Sequence, residues 1–175
     1  MQVGCAGAPA LAPARMPPDA RLRRDSLSDL GQRLFAALRS GSIGQCVATP
    51  FEVDQLLSPE ARLHVERERR AHDGFATSSV FPRDWAGASY AGFCAQGARE
   101  EPAHAALGLA QRGWVLDRIL VVASLGSTRS ASWLEGRFVY TEAGWKLLSM
   151  RQIEQPRRQH SDLDLAPCDV EAGLR

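Results

Sequence analysis

The sequence predicts an α+β fold in which N-terminal helices pack on a C-terminal antiparallel β-meander. An apolar stripe with the spacing of an amphipathic helix begins just after Ser26. Runs rich in β-branched and aromatic residues, separated by glycine turns, fill the last third of the chain from Trp114 onward. The stripe consists of Leu27, Leu30, Leu34 and Leu38.

The composition is that of one ordinary globular domain. The chain has 175 residues, 45% of them hydrophobic, and a net charge of +1. Basic and acidic residues are interleaved, which argues against a nucleic-acid-binding surface. Only Lys146 among the 21 basic residues is a lysine, a bias typical of a GC-rich bacterial genome. Arginine richness is therefore no sign of phosphate binding in itself.

Proline content and apolar periodicity divide the chain into three parts. Residues 1–25 contain several prolines and no apolar stripe, and we interpret them as a flexible leader. Residues 26–156 form a single α+β domain. Residues 157–175 form an acidic and hydrophobic C-terminal tail without independent structure.

The first half of the domain carries helix start and stop signals. The first helix ends at Ser40-Gly41, and Thr49-Pro50-Phe51-Glu52 has the pattern of a capping box that starts a second one. A charged surface helix follows from Pro59 to His72. Residues 75–82 indicate a short strand, and we predict a further helix from Asp84 to Glu100.

The last third predicts three strands. The first runs from Trp114 to Leu125, and a hairpin follows with strands Ala131–Thr141 and Trp145–Gln155. A turn at residues 141–144 sets the register of this hairpin. On its core face the predicted cross-strand pairs are Tyr140 with Trp145, Phe138 with Leu147, Gly136 with Ser149, and Leu134 with Arg151.

This order of elements resembles the cone-shaped nuclear-transport-factor-like superfamily, which includes ketosteroid isomerases, polyketide cyclases and non-enzymatic binding domains. The resemblance covers about residues 26–156. It rests on the end of the first helix, residues 35–41, and on the closing hairpin, residues 136–146. It implies a sheet curved around a pocket, and the fold alone does not imply a function.

The candidate pocket lies on the core face of the hairpin. Two small residues there could leave a hollow beneath the helices, with polar side chains at its edges. In the alternative interpretation a helix packs over the glycine, Arg151 pairs with a carboxylate at the rim, and Asp84 only caps a helix. The pocket candidates are Gly136, Ser149, Arg151, Tyr140 and Asp84.

No catalytic motif or metal-binding motif is evident in the sequence. His64, His72 and His104 are the remaining acid–base candidates, and we expect the first two to be solvated. The alternation of polar residues at 160, 162 and 164 fits the outer face of a docked strand better than a metal site. We therefore expect no catalytic residue, metal or cofactor.

These observations predict a non-catalytic binding or interaction domain for a small apolar ligand or a protein partner. The alternative is a small cone-fold enzyme, isomerase-like or cyclase-like. We also predict a weak homodimer through the outer face of the hairpin, unless the C-terminal tail covers that face. The apolar residues of this face are Trp133, Val139, Leu148 and Met150.

The cysteines bear on the cellular location. Val3-Gly4-Cys5-Ala6 matches the end of a bacterial lipobox, with Cys5 as the lipidation candidate, although Gln2 stands where leucine is usual. This pattern predicts a lipid-anchored protein of the cell envelope, with a cytoplasmic protein as the alternative. In an oxidising compartment, two of Cys46, Cys94 and Cys168 could form a disulfide.

Overall fold

The computed structural model describes residues 12–15, 17, 19–41, 43–71, 85–153 and 157–159. Three helices precede an antiparallel sheet, which confirms the predicted α+β class. The helices are α1 (Ala20–Ser40), α2 (Pro50–Leu56) and α3 (Pro59–Ala71), with a 3-10 turn at Gly44–Cys46. The strands are β1 (Ser89–Gln96), β2 (Arg99–Glu101), β3 (Gly113–Leu125), β4 (Thr128–Thr141), β5 (Gly144–Ile153) and β6 (Arg157–Gln159).

The described strands form one open antiparallel sheet in the order β1-β3-β4-β5. The short strand β2 pairs with the start of β3, beside the section of β3 that pairs with β1. In the same way β6 pairs with the start of β4, beyond the section that pairs with β5. The long strands β3 and β4 therefore form the centre of the sheet, and each contacts two partners along one edge.

Helix α1 covers one face of the sheet with the predicted leucine stripe. All four leucines are at most 2% exposed, and they pack against Ile119, Phe138 and Trp145. The helix begins at Ala20 rather than Ser26, because Asp19 caps it by accepting hydrogen bonds from the first turn. The added turn is solvated and charged, so it has no apolar periodicity to reveal it.

Helices α2 and α3 cover the other face of the sheet. Thr49 and Glu52 form the predicted capping box at the start of α2. Arg69 of α3 donates hydrogen bonds to the carbonyl oxygens of Ala48 and Leu148, at 2.7 and 2.6 Å. These bonds occupy main-chain acceptors that would otherwise be buried without partners. The apolar residues of this second core are Ala48, Val53, Leu56, Leu57, Val65, Leu107, Leu109, Val115, Val139 and Leu148.

The predicted helix from Asp84 to Glu100 is wrong, since residues 89–96 and 99–101 are strands. Trp85 and Ala88 are buried in the core beneath α1, and the chain then continues as β1 along β3. Small residues in this segment suit either structure locally, and the long-range pairing with β3 decides between them. The strand predicted at residues 75–82 lies outside the described residues, as does Asp84.

The two ends of the predicted domain continue into the sheet. Pro13 forms an isolated bridge with Thr141, and Ala14 N donates to Tyr140 O at 3.0 Å. At the other end, β6 lies within the predicted tail and pairs with residues 129–131 of β4. Parts of residues 1–25 and 157–175 are thus joined by backbone hydrogen bonding to the domain.

The register of the β4–β5 hairpin agrees with the prediction only near its turn. Tyr140 pairs with Trp145, and Phe138 pairs with Leu147, both as predicted. Farther from the turn the register shifts twice, so that Ser149 pairs with Arg137, Met150 with Gly136, and Ile153 with Leu134. The predicted pairs Gly136–Ser149 and Leu134–Arg151 are therefore wrong, because β5 contains extra residues that β4 does not match.

Truncating the buried ring of Phe138 should threaten folding. The residue is 0% exposed at the centre of the α1 core, so Phe138→Ala leaves a cavity and should lower the free energy of unfolding by about 3–5 kcal/mol. Urea unfolding followed by circular dichroism measures the loss. Phe51→Ala is the matched control, because Phe51 is 58% exposed and should cost little. Equal losses in the two variants would contradict the assigned core.

Candidate functional site

The structure distributes the predicted pocket residues over different parts of the sheet. Tyr140 is half-buried on the α1 face, where its ring lies 5.3 Å from that of Trp145. Ser149 points to the opposite face, toward α3. Arg151 is 49% exposed at the rim of a cleft on that opposite face. The predicted set is therefore not assembled around one hollow beneath α1.

Close packing of two strands accounts for Gly136. A Cβ atom at this position would lie 2.7 Å from the carbonyl oxygen of Ser149 and 2.8 Å from a methyl group of Leu147. Such distances are shorter than side chains tolerate, so only glycine allows β4 and β5 to approach here. The neighbouring strand fills the space that the sequence analysis assigned to a hollow.

A largely buried polar cluster lies between α3 and the strands β4 and β5. Glu68 is at its centre. Arg137 donates from Nε to Glu68 Oε2 at 3.0 Å and from Nη2 to Oε1 at 3.2 Å. Ser149 Oγ donates to Oε2 at 2.5 Å. His64 Nε2 and Arg151 Nε lie 3.1 and 3.6 Å from Oε1. Glu68 thus joins α3 to both strands of the hairpin.

The Glu68 carboxyl group is held in its ionised form. Burial by itself would raise its pKa, but hydrogen bonds from Ser149 and Arg137, with the charges of Arg137 and Arg151, lower the pKa below its ordinary value. A carboxylate with this many donors is stabilised in place and is a weak proton acceptor. Its geometry suits an anchor for Arg137 better than a general base.

Two clefts meet at Arg137, one on each side of the loop of residues 102–112 that joins β2 to β3. The larger has a volume of about 390 Å³ and the smaller about 350 Å³. Arg137, Ala106 and Leu107 line both clefts. The Arg137 side chain is only 13% exposed, so its position is fixed at the base of the two clefts.

Paired charges line the larger cleft. Arg118 lies 3.2 Å from Glu135, and its guanidinium is 4.2 Å from the ring centroid of Trp133. Arg99 forms ion pairs with Asp117 and with the buried Glu101. Arg137 and Arg151 line the same cleft, and both lie within ion-pairing distance of Glu68.

The smaller cleft brings together two of the acid–base candidates named from the sequence. His64 lies on its α3 wall, and His104 lies on the opposite wall, in the loop. The sequence analysis treated His64 as a solvated residue of a charged helix and did not single out Glu68 or Arg137. The spacing of His64 and Glu68, which places both on one side of α3, was the available signal.

No group of three or more metal-ligating side chains occurs among the residues that the structure describes. Positions 160, 162 and 164, for which a metal site was the less favoured interpretation, lie outside those residues, as does His72.

The outer hairpin face predicted to form a homodimer is covered from within the chain. Val139 and Leu148 are 0% exposed beneath α2 and α3, and Met150 packs into the α1 core. The prediction missed this because the extra residues of β5 move Met150 to the other face. A homodimer stays a prediction, but these three residues are not available as its contacts.

The cysteines differ in redox state. Cys46 is a free thiol, and burial raises its pKa. Cys94 is disulfide-bonded. Since Cys46 is free, it is not the partner of Cys94. Of the three cysteines predicted to supply a disulfide, Cys94 is therefore the one shown to be bonded.

Comparison with known proteins gives no family assignment for this chain. No protein-family model matches it, and no curated protein or solved structure does so either.

Replacing Glu68 by glutamine should destabilise the fold in a pH-dependent way. The lowered pKa means that the carboxylate contributes stability near neutral pH, and this contribution is lost as the pH falls through the folded-state pKa, below the ordinary 4.5. Glu68→Gln should lower the free energy of unfolding by about 2 kcal/mol at about pH 7.

Urea unfolding at neutral pH and at an acid pH measures both effects, and the difference from wild type should shrink at the acid pH, because protonation of wild-type Glu68 removes this contribution. Glu66→Gln, on the exposed side of the same helix, is the control and should change stability little at either pH. A loss at Glu68 that is equal at both pH values would show that its charge is not what stabilises the cluster.

Proposed function

We propose that this protein is a non-catalytic binding domain whose ligand occupies the clefts at Arg137. Binding sites are concave and combine apolar walls with a few fixed polar groups. The clefts fit this description, since Leu107 supplies apolar surface and Arg137 supplies a guanidinium at their common base.

The proposal rests on the hydrogen bonding of the Arg137 guanidinium. Glu68 fixes its Nε and Nη2 groups, and Nη2 also contacts His64 at 2.9 Å. No residue in the described part of the chain accepts a hydrogen bond from Nη1. A buried, immobilised arginine with unused donors next to two clefts is prepared to bind a ligand without loss of side-chain entropy.

The enzyme alternative has less support. A cone-fold isomerase or cyclase would need an enclosed pocket with an acid or base of altered pKa. The described residues between α1 and the sheet are closely packed apolar side chains. Two described carboxylates have a lowered pKa, and both are occupied by hydrogen-bond donors: Glu68 by Ser149 and Arg137, and Glu52 by Thr49 and Lys146. The binding proposal does not depend on a cone-shaped sheet.

A steric block should abolish ligand binding without affecting the fold. Ala106 is exposed and lines both clefts, so Ala106→Trp should fill them. Ala103 is exposed in the same loop and lines neither cleft, which makes Ala103→Trp the matched control. The immobilised full chain is incubated with a small-molecule extract of bacterial cells, and retained compounds are identified by mass spectrometry.

We expect a compound that wild type and Ala103→Trp retain equally and that Ala106→Trp fails to retain. Equal retention by all three proteins would place the site elsewhere. Conversion of the retained compound into a product over time would contradict the non-catalytic assignment.

We further propose that the domain is displayed at the bacterial cell envelope through a lipid on Cys5. The disulfide at Cys94 supports this location, because disulfides persist in oxidising compartments. The lipobox-like residues 3–6 supply the lipidation signal. None of the helices in the described ranges is long and apolar enough to cross a membrane.

The lipid anchor is tested by metabolic labelling with a fatty-acid analogue. The gene is expressed with its native upstream sequence, and we expect label on wild type and on Cys168→Ser but none on Cys5→Ser. A non-reducing gel of the same samples should show the Cys94 disulfide lost in Cys168→Ser. Loss of the disulfide in Cys5→Ser instead would assign Cys5 to Cys94 and end the lipoprotein proposal.

A further inference from the structure

The smaller cleft has rigid walls. Ser58 N donates to Gly108 O at 2.8 Å, and Ala110 N donates to Leu56 O at 2.9 Å, so the loop is bonded to the segment that joins α2 to α3. A Cβ on Gly108 would lie only 2.4 Å from that of Ala61, which shows how closely the loop and the helix approach. The cleft between them is therefore preformed.

A buried carboxylate supports the loop from inside. Glu101 is 5% exposed, accepts a hydrogen bond from Leu107 N at 3.0 Å, and is paired with Arg99. These bonds hold the middle of the loop against the sheet. The loop thus presents His104 from a fixed backbone rather than from a freely moving segment.

His104 itself has a backbone conformation that histidine rarely adopts. Its φ angle is +59°, and among the described residues it is the one non-glycine with positive φ. Its N–H donates to Leu109 O at 2.8 Å, and its side chain is exposed in the cleft. Strained residues of this kind cluster at functional sites, and glycine would satisfy the backbone better. Histidine differs from glycine at this position by its imidazole, which lies in the cleft.

His64 shares one nitrogen atom between a donor and an acceptor. Its Nε2 lies 2.9 Å from Nη2 of Arg137 and 3.1 Å from Oε1 of Glu68. An unprotonated Nε2 accepts from Arg137, whereas a protonated Nε2 donates to Glu68. The Nη2 group of Arg137 also donates to Glu68 Oε1 at 3.2 Å, whereas its Nη1 group has no acceptor among the described residues. An anion in the cleft would supply that acceptor.

Charged and titratable groups surround His64 in the cleft. Glu60 and Glu68 face His64 from α3, Arg137 faces it from β4, and His104 faces it from the loop. Arg151 on β5 lies on the far side of Glu68. Glu68 is neutralised by its arginine partners, so the exposed Glu60 is the single carboxylate among the cleft residues that opposes an anion.

We propose that the smaller cleft binds the oxyanion group of a ligand, a phosphate, sulfate or carboxylate, between Arg137, His64 and His104. This inference rests on the proposed binding function and specifies the chemistry of its ligand.

Inorganic sulfate is a suitable probe, because it is an oxyanion whose charge does not change near neutral pH. Its dissociation constant is measured on the full chain from the imidazole resonances of His64 and His104 in nitrogen-15 NMR spectra. We expect both resonances to shift as sulfate is added. His104→Gly relieves the positive φ, so it should fold normally and still bind about tenfold more weakly.

Two further variants make the result specific. Glu60→Gln removes the opposing carboxylate and should strengthen binding about twofold to threefold. Arg67→Gln, on the exposed surface of the same helix, is the control and should leave the affinity unchanged. Unchanged affinity in His104→Gly would overturn the inference.

The same experiments separate this inference from the proposed function. If sulfate leaves both imidazoles unaffected while a compound is still retained by wild type and lost in Ala106→Trp, the oxyanion site is wrong and the binding function stands. If neither sulfate nor any compound binds at these clefts, both proposals are wrong.

Discussion

The close approach of β4 and β5 at Gly136 is the constraint on which the rest of the structure depends. Only a residue without a side chain fits against the Ser149 carbonyl, and the register of the hairpin shifts on either side of this point. The shifts place Arg137 opposite Ser149 on the face that α3 covers. Without them Glu68 would have no pair of donors to bind, and α3 would lose its polar attachment to the sheet.

The two faces of the sheet are stabilised by different means. The α1 face is almost entirely apolar, and its packing contributes stability through the burial of large side chains. The α3 face combines an apolar cluster with the Glu68–Arg137 ion pair. A buried ion pair of this kind adds little net stability, since its formation costs desolvation of both charges. Its main effect is to position the Arg137 guanidinium between the clefts.

Local signals in the sequence were sufficient for α1, α2, α3 and the turn of the hairpin. The leucine stripe and the Thr49–Glu52 capping box act within a few residues, and the pairs nearest the turn follow from its geometry. Strand β1 could not be predicted in this way, because its conformation depends on hydrogen bonds to β3 about 30 residues later. The extra residues of β5 cannot be recognised from the sequence either. The predicted pairs that lie beyond them are therefore wrong.

The candidate site escaped sequence analysis for a related reason. Glu68 looks like any other charge on a polar helix, and Arg137 is one of many arginines, so neither is conspicuous without the tertiary contacts that bury them. Those contacts also link the site to stability. Glu68 and Arg137 fix α3 on the sheet, and Arg137 also lines both clefts. The site and the fold on this face of the sheet therefore depend on the same ion pair.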